Sequence, residues 1–350
     1  MAKIKMDKRI GWLEVARFVA ILMVLIIHNV DEGVYKSGLD SDTQWYISQF
    51  FHLIGRLGVP IFFMITGSLL IPKLKDANIK CFYLKRIPQF FLLIVFYTII
   101  INILHALINK QDVDITSIIT KLSHGDTGSA YQLWFLYSIM AMYFALPFLS
   151  RMLHAMSNHE VIIFIILSLI FFYLPISSET LFSYRVFSAP LNVDPVNGFV
   201  SYVVTGYYIS NRMQKEIRGT LLFLALLLLL IVSLYTQGQL KIINKMNGDG
   251  IGWYSSTFIF FCSVPAFIIL NKYGNSIFSL APKTFTLLSR SSFCVFLIHL
   301  IPTWITLQYL VDIKINLALA IFISIIISYI FCIFIYLLLY RVPVLKKLVS

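Results

Sequence analysis

The sequence predicts an all-α integral membrane protein with about ten transmembrane helices and both termini in the cytoplasm. Three observations lead to this fold class. Of the 350 residues, 59% are hydrophobic and only 13% are charged. The apolar residues form continuous stretches of about 20, the length that a helix needs to cross the hydrocarbon layer of a bilayer. The basic residues are concentrated in alternate connecting loops, as in cytoplasmic loops of membrane proteins.

The same composition excludes other classes of protein. Soluble domains carry about 25% charged residues, and disordered chains have low hydrophobicity. The strands of a membrane barrel alternate apolar and polar residues instead of running apolar throughout. The net charge of +12 is therefore interpreted as a topology signal, and we expect the partner to be the lipid bilayer and not a nucleic acid.

Ten stretches satisfy the length requirement for a transmembrane helix. The predicted spans are 12–31, 50–72, 87–109, 132–150, 160–176, 195–211, 219–236, 253–271, 289–311 and 315–340. The ends of the fifth and sixth are blurred by Pro175, Pro190 and Pro195, because proline interrupts helices. We expect a single transmembrane domain over 1–350, without a fused extracytoplasmic domain.

The charges between the spans predict the orientation. With the N-terminus inside, and with the span-end residues Asp31, Glu160 and Arg290 counted with the adjoining segments, the inner segments hold 19 Lys or Arg and the outer loops hold 7. Acidic residues number 4 inside and 11 outside. The N-terminal segment contributes Lys3, Lys5, Lys8 and Arg9. Positive charge accumulates on the cytoplasmic side, so both ends are predicted to be cytoplasmic.

Cysteine and glycine patterns point to no cofactor motif. Cys81 lies on the predicted inner side and the other three cysteines lie within spans, so no outer disulfide is expected. No ligand spacing predicts a metal ion, and no phosphate-binding loop, dinucleotide fingerprint or nucleophile elbow is present.

The first span carries three ionisable side chains, and such residues are costly inside a membrane, so they are functional candidates by default. Glu14 and Arg17 are three residues apart and can pair. From Arg17 to His28 is eleven residues, almost three full turns, which places both side chains on one helix face about 16 Å apart. Imidazole exchanges protons near neutral pH. The alternative is that Arg17 and His28 only anchor the helix in the two interfaces.

Other spans and loops add further candidates. Arg56 in the second span either pairs or packs between helices, or lines a polar cavity. His299 in the ninth span is either a hydrogen-bonded interior residue or part of the same site. The loop from Lys73 to Arg86 is strongly basic, which is either a topology signal alone or a binding site for a phosphorylated molecule. Trp134 opens the fourth span in a stretch typical of an aromatic belt.

The pattern resembles the membrane-bound acyltransferase 3 family over most of the chain. Four stretches carry the resemblance: the first-helix acidic residue followed by Arg-x10-His, met by Glu14, Arg17 and His28; Pro60-x-Phe-Phe-x-x-Thr-Gly67; Leu133-Trp-Phe-Leu-Tyr137; and Ser291 to His299. Two positions depart from the family pattern. Gln89 stands where the family has the second Arg of Arg-x-x-Arg, with Lys85 beside Arg86 as the available cation, and Gln132 stands where a His is common.

The resemblance implies an acetyl-CoA-dependent O-acetyltransferase of a bacterial plasma membrane, acting on an envelope glycan or its lipid-linked precursor. It implies that Glu14, Arg17 and His28 are catalytic, with His28 as general base. Because no ligand spacing is present, we expect no metal. Arg86 and Lys85 are then expected to bind the acetyl-CoA phosphates.

For the acceptor pocket we expect His299, Arg56 and Trp134. A covalent acyl-His relay remains the alternative mechanism. A multi-span transporter or flippase is the alternative function, although Glu14 is the only carboxylate inside a predicted span and not at its last or first residue. A non-catalytic scaffold would explain none of the polar residues within the spans.

Overall fold

The computed structural model describes residues 10–39, 41–186, 198–214, 216–243, 250–343 and 345–349. The predicted topology signals Lys3, Lys5, Lys8 and Arg9, and the prolines Pro190 and Pro195, lie outside these residues. The described part of the chain is helical and contains no strand. Its helices are α1 (Gly11–Ser37), α2 (Asp42–Arg56), α3 (Gly58–Leu74), α4 (Ile79–Ile108), α5 (Ile115–Ser123), α6 (Trp134–Ala155), α7 (Asn158–Ser168), α8 (Leu174–Phe182), α9 (Val200–Asn211), α10 (Gly219–Ile242), α11 (Thr257–Leu280), α12 (Pro282–Ile298), α13 (Leu300–Asp312), α14 (Leu317–Tyr340) and α15 (Lys346–Val349).

Eight helical segments of the described chain, one of them α2 and α3 together, are long and apolar enough to cross a membrane. The bent pair of α12 and α13 makes a ninth if it counts as one span. The prediction of an all-α, multi-pass membrane fold is therefore confirmed. These nine segments match nine of the ten predicted spans. The remaining one, 195–211, corresponds to α9, whose 12 residues extend only about 18 Å. The count of ten and the cytoplasmic position of both termini stay predictions.

Helix α9 is short but deeply buried against α3. Gly67 of α3 faces the backbone of Val203, and Gly206 of α9 faces the backbone of Met64. An added Cβ at either glycine would overlap these atoms, so only glycine permits this close crossing. The hydroxyl of Ser68 strengthens it by donating to the Gly206 carbonyl over 3.0 Å. The crossing explains the glycine of the Pro60 to Gly67 stretch.

Helix α1 lies at the centre of the bundle. Its 27 residues form about 40 Å of continuous helix, which packs against α2, α3, α11, α12, α13 and α14. At its N-terminal end the Trp12 ring packs edge-on against Phe267, with centroids 5.7 Å apart. The α1 side chains are thus buried among helices from both halves of the chain.

Two interrupted helices flank this continuous one. The chain breaks at Leu57 between α2 and α3, because Pro60 has no N–H to donate to the Arg56 carbonyl four residues earlier. It breaks again at His299, where α12 and α13 meet at 72°. Interrupted helices expose backbone polar groups inside a membrane only where protein buries them. The break at Leu57 lies against the middle of α1, where Gly58 faces the Ala20 carbonyl, and the break at His299 lies beside His28.

Candidate functional site

Helix α1 holds Arg17 and His28 in a fixed relation. Because the helix is continuous from Gly11 to Ser37, the eleven residues between them keep both side chains on one face, about 16 Å apart along the axis. We refer to the two regions as the Arg17 end and the His28 end. They differ in their surroundings, so we describe each in turn.

His28 lies among aromatic and imidazole rings. Its ring centroid is 5.1 Å from that of His299 and 5.4 Å from that of Tyr131. Its Nδ1 is buried and has no hydrogen-bond partner among the described residues. A buried ring nitrogen with no fixed partner is a site where an incoming hydroxyl can bind.

His299 occupies the break between α12 and α13. Its Nδ1 lies 2.9 Å from the Val295 carbonyl oxygen and 3.0 Å from that of Phe296. Because carbonyl oxygens only accept, Nδ1 carries the proton, and Nε2 of the neutral ring is an acceptor. Nε2 is buried and has no hydrogen-bond partner among the described residues. The helix break thus fixes one nitrogen of His299 and leaves the other available inside the site.

Gln132 supports this break from the neighbouring element. Its Nε2 donates to the Leu297 carbonyl over 3.0 Å. In a continuous helix that carbonyl would accept from the N–H four residues later, which the bend at His299 displaces. The Gln132 side chain is 1% exposed and links the start of α6 to the end of α12. The departure from the family pattern at this position therefore gives a structural hydrogen bond beside the two histidines.

Arg56 contributes a buried positive charge. Its guanidinium lies 3.4 Å from His52 Nε2, and the same nitrogen of His52 lies 3.5 Å from an Asp31 carboxylate oxygen. The guanidinium carbon also lies 4.9 Å and 4.8 Å from the ring centroids of Trp253 and Tyr254, which are cation–π distances. Arg56 and His52 are both close enough to His28 to act on its charge.

Trp134 lies behind Arg56 and not against His28. Its ring packs on Tyr254 with centroids 5.3 Å apart and on Phe199 at 6.0 Å. The sequence stretch that suggested an aromatic belt is thus part of an internal aromatic cluster. Trp134 is connected to Arg56 through Tyr254, because the Tyr254 ring contacts both the Trp134 ring and the Arg56 guanidinium.

A cavity of about 720 Å³ opens beside the His28 end. Glu32, one turn after His28, forms a carboxylate wall, and its Oε1 accepts from the Tyr131 hydroxyl over 2.8 Å and from Trp304 Nε1 over 3.1 Å. His105 lies across the cavity, 4.6 Å from the Trp304 ring between centroids. Aromatic faces with carboxylate and amide groups suit a hydroxylated ligand.

The Arg17 end is more open. The Arg17 guanidinium lies 3.9 Å from the Glu14 carboxylate, and their side chains are 34% and 12% exposed. Arg86 of α4 and Arg17 both lie near enough to Tyr143 of α6 for their charges to act on its hydroxyl. Two guanidinium groups in one region fit a phosphate-bearing ligand.

Lys85 and Arg86 differ in direction although they are adjacent. Arg86 is partly buried on the α4 face where Phe82 and Phe90 pack on Tyr143, whereas Lys85 is exposed. Successive residues of a helix point about 100° apart. The structure therefore brings Arg86, and not Lys85, to the Arg17 end.

Sequence reasoning missed three residues of the His28 end. Asp31 ends the predicted first span and Glu32 lies just beyond it, so both enter the sequence analysis only as outer acidic residues, and His105 is not among the predicted site residues. The signal that was present is helical spacing, since Glu32 lies four residues after His28. Nothing in the sequence indicated that His105 would face Trp304.

These features define a multi-pass helical membrane protein with a histidine pair inside its bundle and a cationic region on the same helix face. The chain matches the acyltransferase 3 family model, described as an acyltransferase domain, over residues 10–337. The protein therefore belongs to the acyltransferase 3 family and is a membrane acyltransferase. No curated protein and no solved structure matches the chain significantly.

Proposed function

We propose that the protein transfers an acetyl group from cytoplasmic acetyl-CoA to a hydroxyl of an envelope glycan or its lipid-linked precursor, in the plasma membrane of a bacterium. The observation that carries this proposal is His28, whose buried Nδ1 lies beside His299 and beside a polar cavity. Its position about 16 Å from Arg17 separates the reacting end from the end that binds charge.

Donor binding is assigned to the Arg17 end. Arg17 and Arg86 hold the phosphates of the donor, because guanidinium groups pair with phosphate oxygens. The uncharged arm then extends along the α1 face towards His28. Glu14 orients Arg17 through their ion pair.

Acceptor binding is assigned to the cavity at the His28 end, where Glu32, Tyr131 and Trp304 form one wall. An acceptor hydroxyl gives its proton to His28 as its oxygen bonds to the thioester carbonyl carbon. The carbon–sulfur bond then breaks, and the proton passes from His28 to the leaving sulfur. The positive charge of Arg56 stabilises the negative charge that develops on the carbonyl oxygen.

The test is acetyl transfer by the purified protein in proteoliposomes, with radiolabelled acetyl-CoA on one side and candidate glycans on the other. We expect His28→Ala to lower kcat by about 10² to 10⁴. The matched control is His159→Ala, which removes an exposed histidine at the start of α7 and is expected to retain wild-type activity. Near wild-type transfer by His28→Ala would exclude His28 as the base.

The same assay separates the two mechanisms. In the acyl-His relay the label becomes attached to the protein when acceptor is omitted, whereas direct transfer leaves it on the donor. Absence of any acetyl-CoA binding, measured by equilibrium dialysis, would favour the transporter alternative.

A further inference from the structure

A second cavity, of about 550 Å³, lies behind α1, between α1, α2 and α14. Ile26 of α1 lines it and is two residues from His28, so the two side chains point about 160° apart around the helix. The cavity is therefore separate from the site described above. Its volume lies within the range of about 300 to 1,000 Å³ that is usual for ligand pockets.

The walls of this groove are apolar and open to the surroundings. Ile47, Phe51 and Phe322 line it and are 47%, 43% and 61% exposed. Along α14 it extends from Leu317 to Ile325, which is about 12 Å of helix. In a bilayer an apolar groove of this kind accepts a hydrocarbon chain, because packed interiors leave few voids.

One end of the groove joins a smaller polar cavity of about 230 Å³. Gln44, Asn316 and Leu317 line both cavities, so the two are continuous. Lys314 lines the smaller one. The apolar groove thus ends at a chamber that contains a cationic side chain.

The acidic residues around Lys314 are already engaged. Asp42 accepts from the Lys241 ammonium over 2.8 Å, and Asp312 accepts from the Gln308 amide over 2.9 Å. Among the described residues no carboxylate lies within ion-pair distance of Lys314. The charge of Lys314 is therefore available for an anion that enters the chamber.

We propose that the two joined cavities bind one anionic phospholipid of the surrounding leaflet, with an acyl chain in the groove and the phosphate at Lys314. A soluble anion would leave the groove unused, and a neutral lipid would leave the cation unpaired. The bound lipid fills the space between α1, α2 and α14, and so supports the helix that carries Arg17 and His28 from behind. This site does not depend on the proposed acyl transfer.

Lipid retention by the purified full-length protein tests the site. Native mass spectrometry in mild detergent is expected to detect one anionic phospholipid on the wild type. Ala318→Trp fills the groove and Lys314→Gln removes the charge, and each is expected to weaken retention by about tenfold.

Each test variant has a matched control. Leu319→Trp is the control for Ala318→Trp, because Leu319 is exposed on the same helix but does not line the groove. Lys110→Gln is the control for Lys314→Gln, because Lys110 is another exposed lysine with positive φ. Both are expected to retain the lipid.

A second measurement does not depend on the folding of any variant. A phospholipid with a photoreactive acyl chain is expected to crosslink to the Leu317–Ile325 segment of the wild type, and an anionic headgroup to crosslink at least about fivefold more than a zwitterionic one. Equal crosslinking by both lipids, crosslinking elsewhere, or lipid retention by both groove variants at the wild-type level would overturn the proposal.

Discussion

The two ends of the polar face of α1 are built in opposite ways. At the His28 end, rings and carbonyls enclose the side chains at short distances, with His299 fixed by two carbonyls and Tyr131 fixed by Glu32. At the Arg17 end, the Arg17–Glu14 ion pair spans 3.9 Å, and the Arg17 side chain is about one-third exposed. One helix thus carries a rigid, enclosed region and an open, charged one.

The difference between the two ends indicates which step, proton transfer or binding of a charged ligand, each end suits. Proton transfer requires groups held within hydrogen-bond reach in a site from which water is excluded. Binding of a multiply charged ligand that must also leave is better served by partly solvated cations, whose attraction is moderated by water. Substitutions at the His28 end are therefore expected to change kcat or the KM for the acceptor, and substitutions at the Arg17 end to change the KM for the donor.

The largest of these effects is expected at His299. His299→Phe keeps a flat ring but removes the acceptor Nε2 beside His28, and we expect kcat to fall about 100-fold. The KM for the donor is expected to stay within about twofold, since the donor binds at the other end. Steady-state kinetics with both substrates measures this. A change confined to the donor KM would contradict the division between the two ends.

Arg86 and Lys85 provide a matched pair at the Arg17 end. Arg86→Ala is expected to raise the donor KM about tenfold, because it removes one of the two guanidinium groups near Tyr143. Lys85→Ala is expected to raise it less than about threefold, because that side chain points away. Isothermal titration with donor measures both affinities. Equal effects of the two substitutions would mean that the side of α4 to which each side chain points does not matter. The basic loop would then act only through its net charge.

Glu32 tests the cavity at the His28 end. In Glu32→Gln the acceptor oxygen loses its charge, so the hydrogen bonds from Tyr131 and Trp304 weaken. We expect the acceptor KM to rise about three- to fivefold, with little change in the donor KM. Kinetics at varied acceptor concentration checks this. An unchanged acceptor KM together with a raised donor KM would place the acceptor elsewhere.

The smallest effect is expected at Glu14. The pair with Arg17 is long and partly exposed, so Glu14→Gln is expected to change the donor KM by no more than about twofold. The same titration measures it. A loss of kcat comparable to that of His28→Ala would show that Glu14 takes part in the reaction. The Arg17 end and the His28 end would then not have separate roles.

Sequence alone predicted the continuous helix and its polar face, because both depend on local properties: an apolar stretch and a spacing of eleven residues. It predicted that Arg56 and His299 were candidates, because ionisable groups within apolar stretches are conspicuous. The partners of these residues come from helices far apart in the chain. His299 meets His28 only because α12 ends where it does, and no local pattern encodes that contact.

The placement of other residues could not be predicted, because the same sequence pattern is compatible with two structural environments. Lys85 and Arg86 look equivalent in a basic loop, and only the helix that begins at Ile79 turns one inward and the other outward. Trp134 matched an interfacial belt by composition, whereas its ring belongs to the internal cluster around Tyr254. Helix α9 was expected to be an ordinary span, and the two glycines that bring it against α3 account for its burial instead.

The distance between Arg17 and His28 has an electrical consequence. Moving one charge through the membrane potential changes its energy by about 2.3 kcal/mol per 100 mV. If the phosphates stay with Arg17 and Arg86, only the uncharged arm and the acetyl group extend into the field. The rate of acetyl transfer is then expected to be independent of an imposed potential, so that the enzyme would work equally well in energised and de-energised membranes.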